Sequence, residues 1–118
     1  MKVGILPCQG ACNTGNMTNK VALEFVDNEK INMVCSLGIP LGITNIIEKA
    51  KANDKFVALN GCNVNCASQV LQNIDINDFE EFVFTEDFEM EKNKNFGDET
   101  NIKTAMEEVK KVIEKYDY

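Results

Sequence analysis

The chain has 118 residues, 44% hydrophobic and 26% charged, with 19 acidic residues against 12 basic ones and a formal net charge of −7. That length suits a single domain, 1–118, with a core covered on both sides, and the composition excludes a disordered or low-complexity polypeptide. The acidic balance, with no dense basic stripe, excludes extensive contact with a nucleic-acid backbone or an anionic membrane.

The first apolar run, Val3, Ile5 and Leu6, stops at Pro7 and Cys8. Gly10, Asn13, Thr14 and Gly15 follow, so a strand and then a turn-rich loop are predicted. Polar residues interrupt this opening before an apolar region of signal-peptide or membrane-spanning length is reached, and a soluble, cytoplasmic protein is expected. Thr18 is placed to cap a helix reaching about Asp27, with Val21, Ala22, Phe25 and Val26 on its apolar face.

Ile31, Met33, Val34 and Cys35, interrupted only by Asn32, have a strand's length, and glycines on both sides of Pro40 end that segment. Ile43, Ile46, Ile47 and Ala50 follow the i, i+3, i+4, i+7 pattern of a second helix, running to about Ala52. Phe56, Val57, Ala58 and Leu59 make a third strand. It runs into Asn60-Gly61-Cys62-Asn63-Val64-Asn65-Cys66, after which Ala67, Val70, Leu71 and Ile74 supply a short helical face.

Phe82, Val83 and Phe84 read as the fourth strand, and the polar stretch 86–97 as a surface loop. Asp98 or Thr100 then starts the last helix, whose buried face is Ile102, Ala105, Met106, Val109, Val112, Ile113 and Tyr116. Four strand-helix repeats with right-handed crossovers predict an α/β fold, a compact Rossmann-like or flavodoxin-like three-layer arrangement around a small, mostly parallel sheet. In such a sheet the loops at the carboxyl ends of the strands share one edge.

Cys8, Cys35 and Cys62 each end a predicted strand, and Cys66 lies four residues beyond Cys62, so the fold gathers these sequence-distant thiols at that edge. The chain has five cysteines and no histidine. A secreted disulfide framework would leave one cysteine over, whereas a reducing compartment permits free thiols or metal thiolates. Four thiolates surround Zn(II) without help from imidazole, because sulfur is a soft donor and zinc accepts an all-cysteine shell. Cys8, Cys35, Cys62 and Cys66 are the predicted set, an iron-sulfur cluster being the alternative occupant. Nearby backbone N–H groups are expected to offset the charge, with Gly10, Gly15 and Gly61 permitting close turns. Asn60, Asn63 and Asn65 either orient the ligands or serve as ordinary turn residues. Cys12 is the remaining thiol, open to a place among the ligands in exchange for Cys8, to a resolving role or to packing.

Other chemistries lose force on particular residues. The 10–15 segment has the G-x4-G spacing of a phosphate loop, but Asn16 and Met17 replace its Lys and Ser/Thr, so nucleotide hydrolysis is not predicted. A small anion at the helix start is still compatible with that backbone. A C-x5-R phosphatase loop counted from Cys8 reaches Thr14, and the chain has no arginine. Most Asp and Glu residues fall in 75–91 or on the exposed side of the last helix, where solvation accounts for them.

At its cysteines the sequence resembles the DGC-domain proteins, a family described as zinc-binding. The matching features are Cys8 with Asn13-Thr14-Gly15, then Cys35, then Asn60-Gly61-Cys62 followed by Cys66. The resemblance spans most of the chain and implies Zn(II) held by Cys8, Cys35, Cys62 and Cys66, with no substrate. Asn60 stands where the family's name anticipates Asp, which removes a carboxylate and keeps the Gly-Cys turn. The expected function is a small intracellular zinc-binding protein whose partners are a metal ion and a protein in metal or sulfur handling. A thiol-based redox or sulfur-transfer enzyme, with Cys8 or Cys12 reactive and Cys62 and Cys66 resolving, is the second reading. An iron-sulfur or metal-stabilised interaction module is the third.

Overall fold

A computed structural model of the chain describes residues 1–116. Strand β1 (Val3–Pro7) leads through helix α1 (Asn13–Leu23) to β2 (Ile31–Met33), and α2 (Thr44–Lys51) leads to β3 (Lys55–Asn60). Then come α3 (Cys66–Gln72), β4 (Glu80–Val83), α4 (Phe84–Asp87) and α5 (Ile102–Glu114). The sheet order is β2-β1-β3-β4 and every pairing is parallel. This is the first part of the flavodoxin-like order, and its switch point, where successive connections leave in opposite directions, lies between β1 and β3.

The central strands are apolar on both faces because both are covered. All of β1 is buried, as is β3 from Phe56 to Asn60, while β2 and β4 are partly exposed edges. On one face Val3, Ile5, Val57 and Leu59 pack with Met17 and Val21 of α1, Phe84 of α4, and Ala105 and Val109 of α5. On the other, Leu6, Phe56 and Ala58 pack with Ala50 of α2 and with Ala67 and Leu71 of α3. The period-2 alternation along each strand assigns its side chains to these two cores. Among the described residues no helix is long and apolar enough to cross a membrane.

Five local expectations are revised. Helix α1 begins at Asn13, not Thr18, because the Cys12 sulfur caps it by accepting the Gly15 N–H. The Thr18 hydroxyl instead bonds back to the Gly15 carbonyl at 2.6 Å, and the helix ends at Leu23, short of Asp27. Strand β2 stops at Met33, although the Val34 N–H still reaches the Ile5 carbonyl at 2.8 Å. Phe84 leaves the strand and opens α4, fully buried with its ring edge-on to Phe88 at 5.3 Å. The 86–97 segment is no plain surface loop, since Phe88 and Met90 enter the core. Asn101 precedes α5 at φ 69°, while Asp98 receives the Thr100 N–H and hydroxyl one turn earlier.

The loops after β1 and β3 meet backbone to backbone at the switch point. A Cβ on Gly61 would lie 2.8 Å from the Gly15 nitrogen and 3.0 Å from the Thr14 carbonyl carbon, and one on Gly15 would overlap the Gly10 backbone. Gly15→Ala should therefore destabilise the protein by about 2–3 kcal/mol, although alanine is the better helix former. Gly10→Ala, whose Cβ meets only the Cys8 sulfur at 3.8 Å, should stay within about 0.5 kcal/mol. Urea denaturation of both variants checks the contrast.

Candidate functional site

The three strand ends carry their cysteines to the carboxyl edge of the sheet. Cys8 follows β1 directly, Cys35 lies two residues past β2, Cys62 two past β3, and Cys66 opens α3. All five cysteines are free thiols; Cys12 is buried, Cys8 and Cys62 are half-buried, and Cys35 and Cys66 are exposed. The chain turns sharply beside two of them, with Gln9 at φ 55° after Cys8 and Asn65 at φ 60° before Cys66. Left-handed backbone is uncommon for a residue such as Gln9. Here its N–H donates to Thr18, its amide donates to Asn19, and its carbonyl oxygen accepts from Ser36.

Four of the five sulfurs receive an N–H donor. The Gly61 N–H reaches Cys8 Sγ at 3.3 Å, the Gly15 N–H reaches Cys12 Sγ at 3.4 Å, and the Gly38 N–H reaches Cys35 Sγ at 3.3 Å. The Lys92 ammonium reaches Cys62 Sγ at 3.5 Å. Three donors are glycine amides, Gly38 and Gly61 in the loops after β2 and β3 and Gly15 in the first turn of α1, and the Cys8 bond spans the switch point. An N–H aimed at sulfur favours thiolate over thiol.

Cys12 shows that effect. Burial pushes its thiol up, but the Thr14 hydroxyl, the Gly15 N–H, the Lys92 charge and the Thr14 N–H outweigh burial and hold it below the ordinary cysteine value. Lys92 is raised in turn, first by its hydrogen bond to Cys62, then by the charges of Cys62 and Cys12, with Cys66 adding to them. Cys12, Cys62 and Cys66 thus share one cation.

Cys8 and Cys66 also line one open cavity of about 300 Å³, together with Gln9, Ser36, Leu37, Ala67 and Val70. Cys35 lies in the wall of a different, apolar hollow beside β2 and α2, although its neighbours Ser36 and Leu37 face the Cys8 cavity. Among the described residues no three Cys, His, Asp or Glu side chains stand close enough to hold a metal ion together. The edge thus brings Cys8, Cys12, Cys62 and Cys66 into one neighbourhood and leaves the Cys35 sulfur turned onto its own loop.

The donor chemistry nevertheless fits a thiophilic metal. The edge offers soft sulfur with N–H partners and no competing imidazole. Asn65 Oδ1, within the 62–66 turn, is buried with no hydrogen-bond partner, an unmet acceptor of a kind that a bound cation or a small rearrangement of the turn relieves. Rotation of the cysteine side chains is what would gather the ligands.

Sequence reasoning missed Lys92, because its stretch reads as a solvated loop, and it left Cys12 open between a ligand, a resolving and a packing role without finding its place as the cap of α1. A signal existed for Cys12: a small polar residue three positions before a glycine at a helix start is a capping pattern, with sulfur in place of oxygen. No local pattern marks Lys92, which meets Cys62 across 30 residues.

Asn60 has a defined task. It is fully buried; its amide donates to Ser68 Oγ at 2.8 Å, its carbonyl oxygen accepts the Ser68 N–H at 3.2 Å, and the Ser68 hydroxyl passes the chain on to Glu81 at 2.7 Å. This relay ties β3 to α3 just below the 62–66 turn.

The DGC domain family model matches residues 4–116; the chain belongs to that family. Comparison with curated proteins and with solved structures returned no match.

The relay accounts for asparagine where the family's name has aspartate. An aspartate at 60 could only accept, so the Ser68 hydroxyl could serve either it or Glu81 but not both. Asn60→Asp should cost about 1–3 kcal/mol at neutral pH. Adding Glu81→Gln, which reverses the donors along the relay, should recover most of the loss in urea denaturation. For Cys12, a variant keeping only that cysteine should form thiolate, read by its ultraviolet absorbance, at lower pH than a free cysteine, and Thr14→Val should move the midpoint up. Because the folded-state value is lowered, the stability it contributes is present at alkaline pH and fades as pH falls through that midpoint.

Proposed function

We propose that this chain is a small zinc-binding protein whose metal is held by thiolates at the carboxyl edge of the sheet, with Cys8, Cys35, Cys62 and Cys66 as its ligands. One observation supports the reading: sulfurs at three strand ends each receive an N–H donor, and the bond from Gly61 to Cys8 spans the switch point where an open α/β sheet binds its ligands. Cys8 and Cys66 share a cavity, the Gly61 N–H joins Cys8 to the residue before Cys62, and the Ser36–Gln9 bond holds the Cys35 loop beside Cys8. Cys35 is the ligand that must turn furthest, leaving Gly38 for the shared space. Zn(II) at this edge supplies a redox-inert cross-link among three loops. The residues prepare for it by holding the sulfurs near one another, donating N–H groups to them and leaving an open approach between Leu37 and Val70. An open edge of this kind suits a role in intracellular metal or sulfur handling, in contact with a partner protein.

A second reading, thiol redox or sulfur transfer, is favoured by Cys12, whose sulfur caps α1 next to the Lys92 charge. The same sulfurs also suit an iron-sulfur cluster.

Elemental analysis of anaerobically purified protein should find about one zinc per chain, as a four-thiolate site requires, without the visible charge-transfer bands of iron-sulfur. Cys62→Ser or Cys66→Ser should abolish tight binding, Cys35→Ser should weaken it strongly, and Cys12→Ser should leave the stoichiometry unchanged. Zinc at about a hundredfold excess over Kd should stabilise the fold by about 2.7 kcal/mol. Absence of stoichiometric zinc even after reductive reconstitution would falsify the metal reading, and a peroxide-driven disulfide involving Cys12 in that protein would favour the thiol enzyme.

A further inference from the structure

The 88–99 segment crosses the start of α1 as a strap fastened along its length. Phe88 and Met90 enter the core, and the Phe88 carbonyl accepts from the Asn101 amide at 2.9 Å. Asn13, 1% exposed, clasps the middle of the strap three ways. Its side-chain amide donates to the Glu91 carbonyl at 2.7 Å, its Oδ1 accepts the Asn93 N–H at 2.6 Å, and its own N–H donates to the Asn93 carbonyl at 3.0 Å. Further on, the Asn16 amide donates to the Phe96 carbonyl at 2.9 Å, and Lys20 pairs with Glu99. A buried side chain committed to both neighbours of one exposed residue fixes where that residue stands, and the residue is Lys92.

Fixing an exposed lysine in this way is not required by the core, because the apolar anchors are Phe88 and Met90. Lys94, two residues on, bonds the Ala11 carbonyl, so the strap sends its two lysines to different places and Lys92 alone to sulfur. The chain carries −7 overall, a poor setting for four thiolates around a divalent ion, which leave two negative charges uncompensated. Backbone N–H groups contribute only partial charges; a whole positive charge beside Cys62 and near Cys12 and Cys66 does more.

We propose that Lys92 is the counter-cation of the sulfur edge, a positioning residue that the Asn13-clasped strap delivers to offset the charge of the metal-bound thiolates without ligating the metal. The inference rests on the zinc reading and names the residue that tunes that site. It makes the strap part of the site, although the strap contributes no cysteine.

The test is zinc affinity of the full chain, measured by competition with a chromophoric chelator, in four proteins: wild type, Lys92→Gln, Lys92→Arg and Lys103→Gln. Lys103 is exposed on α5, so its variant makes the same change in net charge. Lys92→Gln is expected to weaken zinc about tenfold, in the range seen when groups that support metal ligands are removed. Lys92→Arg, which keeps the charge, should recover most of the affinity, and Lys103→Gln should stay within about twofold. The gap between wild type and Lys92→Gln should narrow as salt is raised, a dependence that a packing role would not produce. Lys92→Gln binding zinc as tightly as wild type or tighter, or Lys103→Gln losing as much, overturns the proposal while the four-cysteine site stands. A wild type that takes up no zinc overturns both.

Discussion

At the point where the winding of the sheet reverses, the Gly61 backbone rests on those of Thr14 and Gly15, and Gly15 rests on Gly10. The rest of the edge depends on that contact. A side chain on Gly61 would separate the loops that follow β1 and β3, so that the Gly61 N–H would no longer reach the Cys8 sulfur, and one on Gly15 would displace the Gly10 turn. Glycine is used here for closeness rather than for an unusual dihedral: neither Gly15 nor Gly61 has positive φ, and the left-handed turns beside the cysteines fall on Gln9 and Asn65. The parallel topology sets the loops side by side, and the absence of a Cβ on Gly61 lets them touch.

Electrostatics then follows from backbone placement. The loops after β2 and β3 each turn a glycine amide toward a sulfur, and the first turn of α1 does the same with Cys12 as the helix cap. Sulfur is a weak acceptor as a thiol and a good one as a thiolate, so these amides do more for the ionised form than for the neutral one. The acidic chain brings the Lys92 ammonium to sulfur from a strap held by Asn13. Beneath it, the Asn60–Ser68–Glu81 relay keeps the buried end neutral and puts the carboxylate at the exposed end, which avoids burying a charge under a cluster of thiols.

Much of the scaffold was legible along the chain. The continuous apolar runs of β1 and β3 identified strands, and the structure shows why they are continuous: a strand covered on both faces loses the polar alternation of a half-exposed one. The i, i+3, i+4 spacing located α2, α3 and α5. The misplaced boundaries have physical causes. Thr18 is a good capping residue by type, but the helix had already begun at Asn13 under the Cys12 cap, so the Thr18 hydroxyl turned back to the Gly15 carbonyl inside it. Phe84 has the propensity of a strand residue and finishes as the largest fully buried side chain of a short helix, because the core beside Phe88 needed its ring more than the sheet needed another ladder bond.

By itself the sequence determined the fold class, the strand ends at which cysteines stand, and the soft character of any site built there, because hydrophobic period and residue type act locally. Only the tertiary structure decided which sulfurs share a space, that Cys35 turns onto Gly38, that Cys12 caps a helix, and that Lys92 reaches Cys62 from 30 residues away. Those outcomes depend on how loops pack once the strands have paired, on contacts at an Å scale between residues far apart in the chain, and no local pattern encodes a distance of that kind.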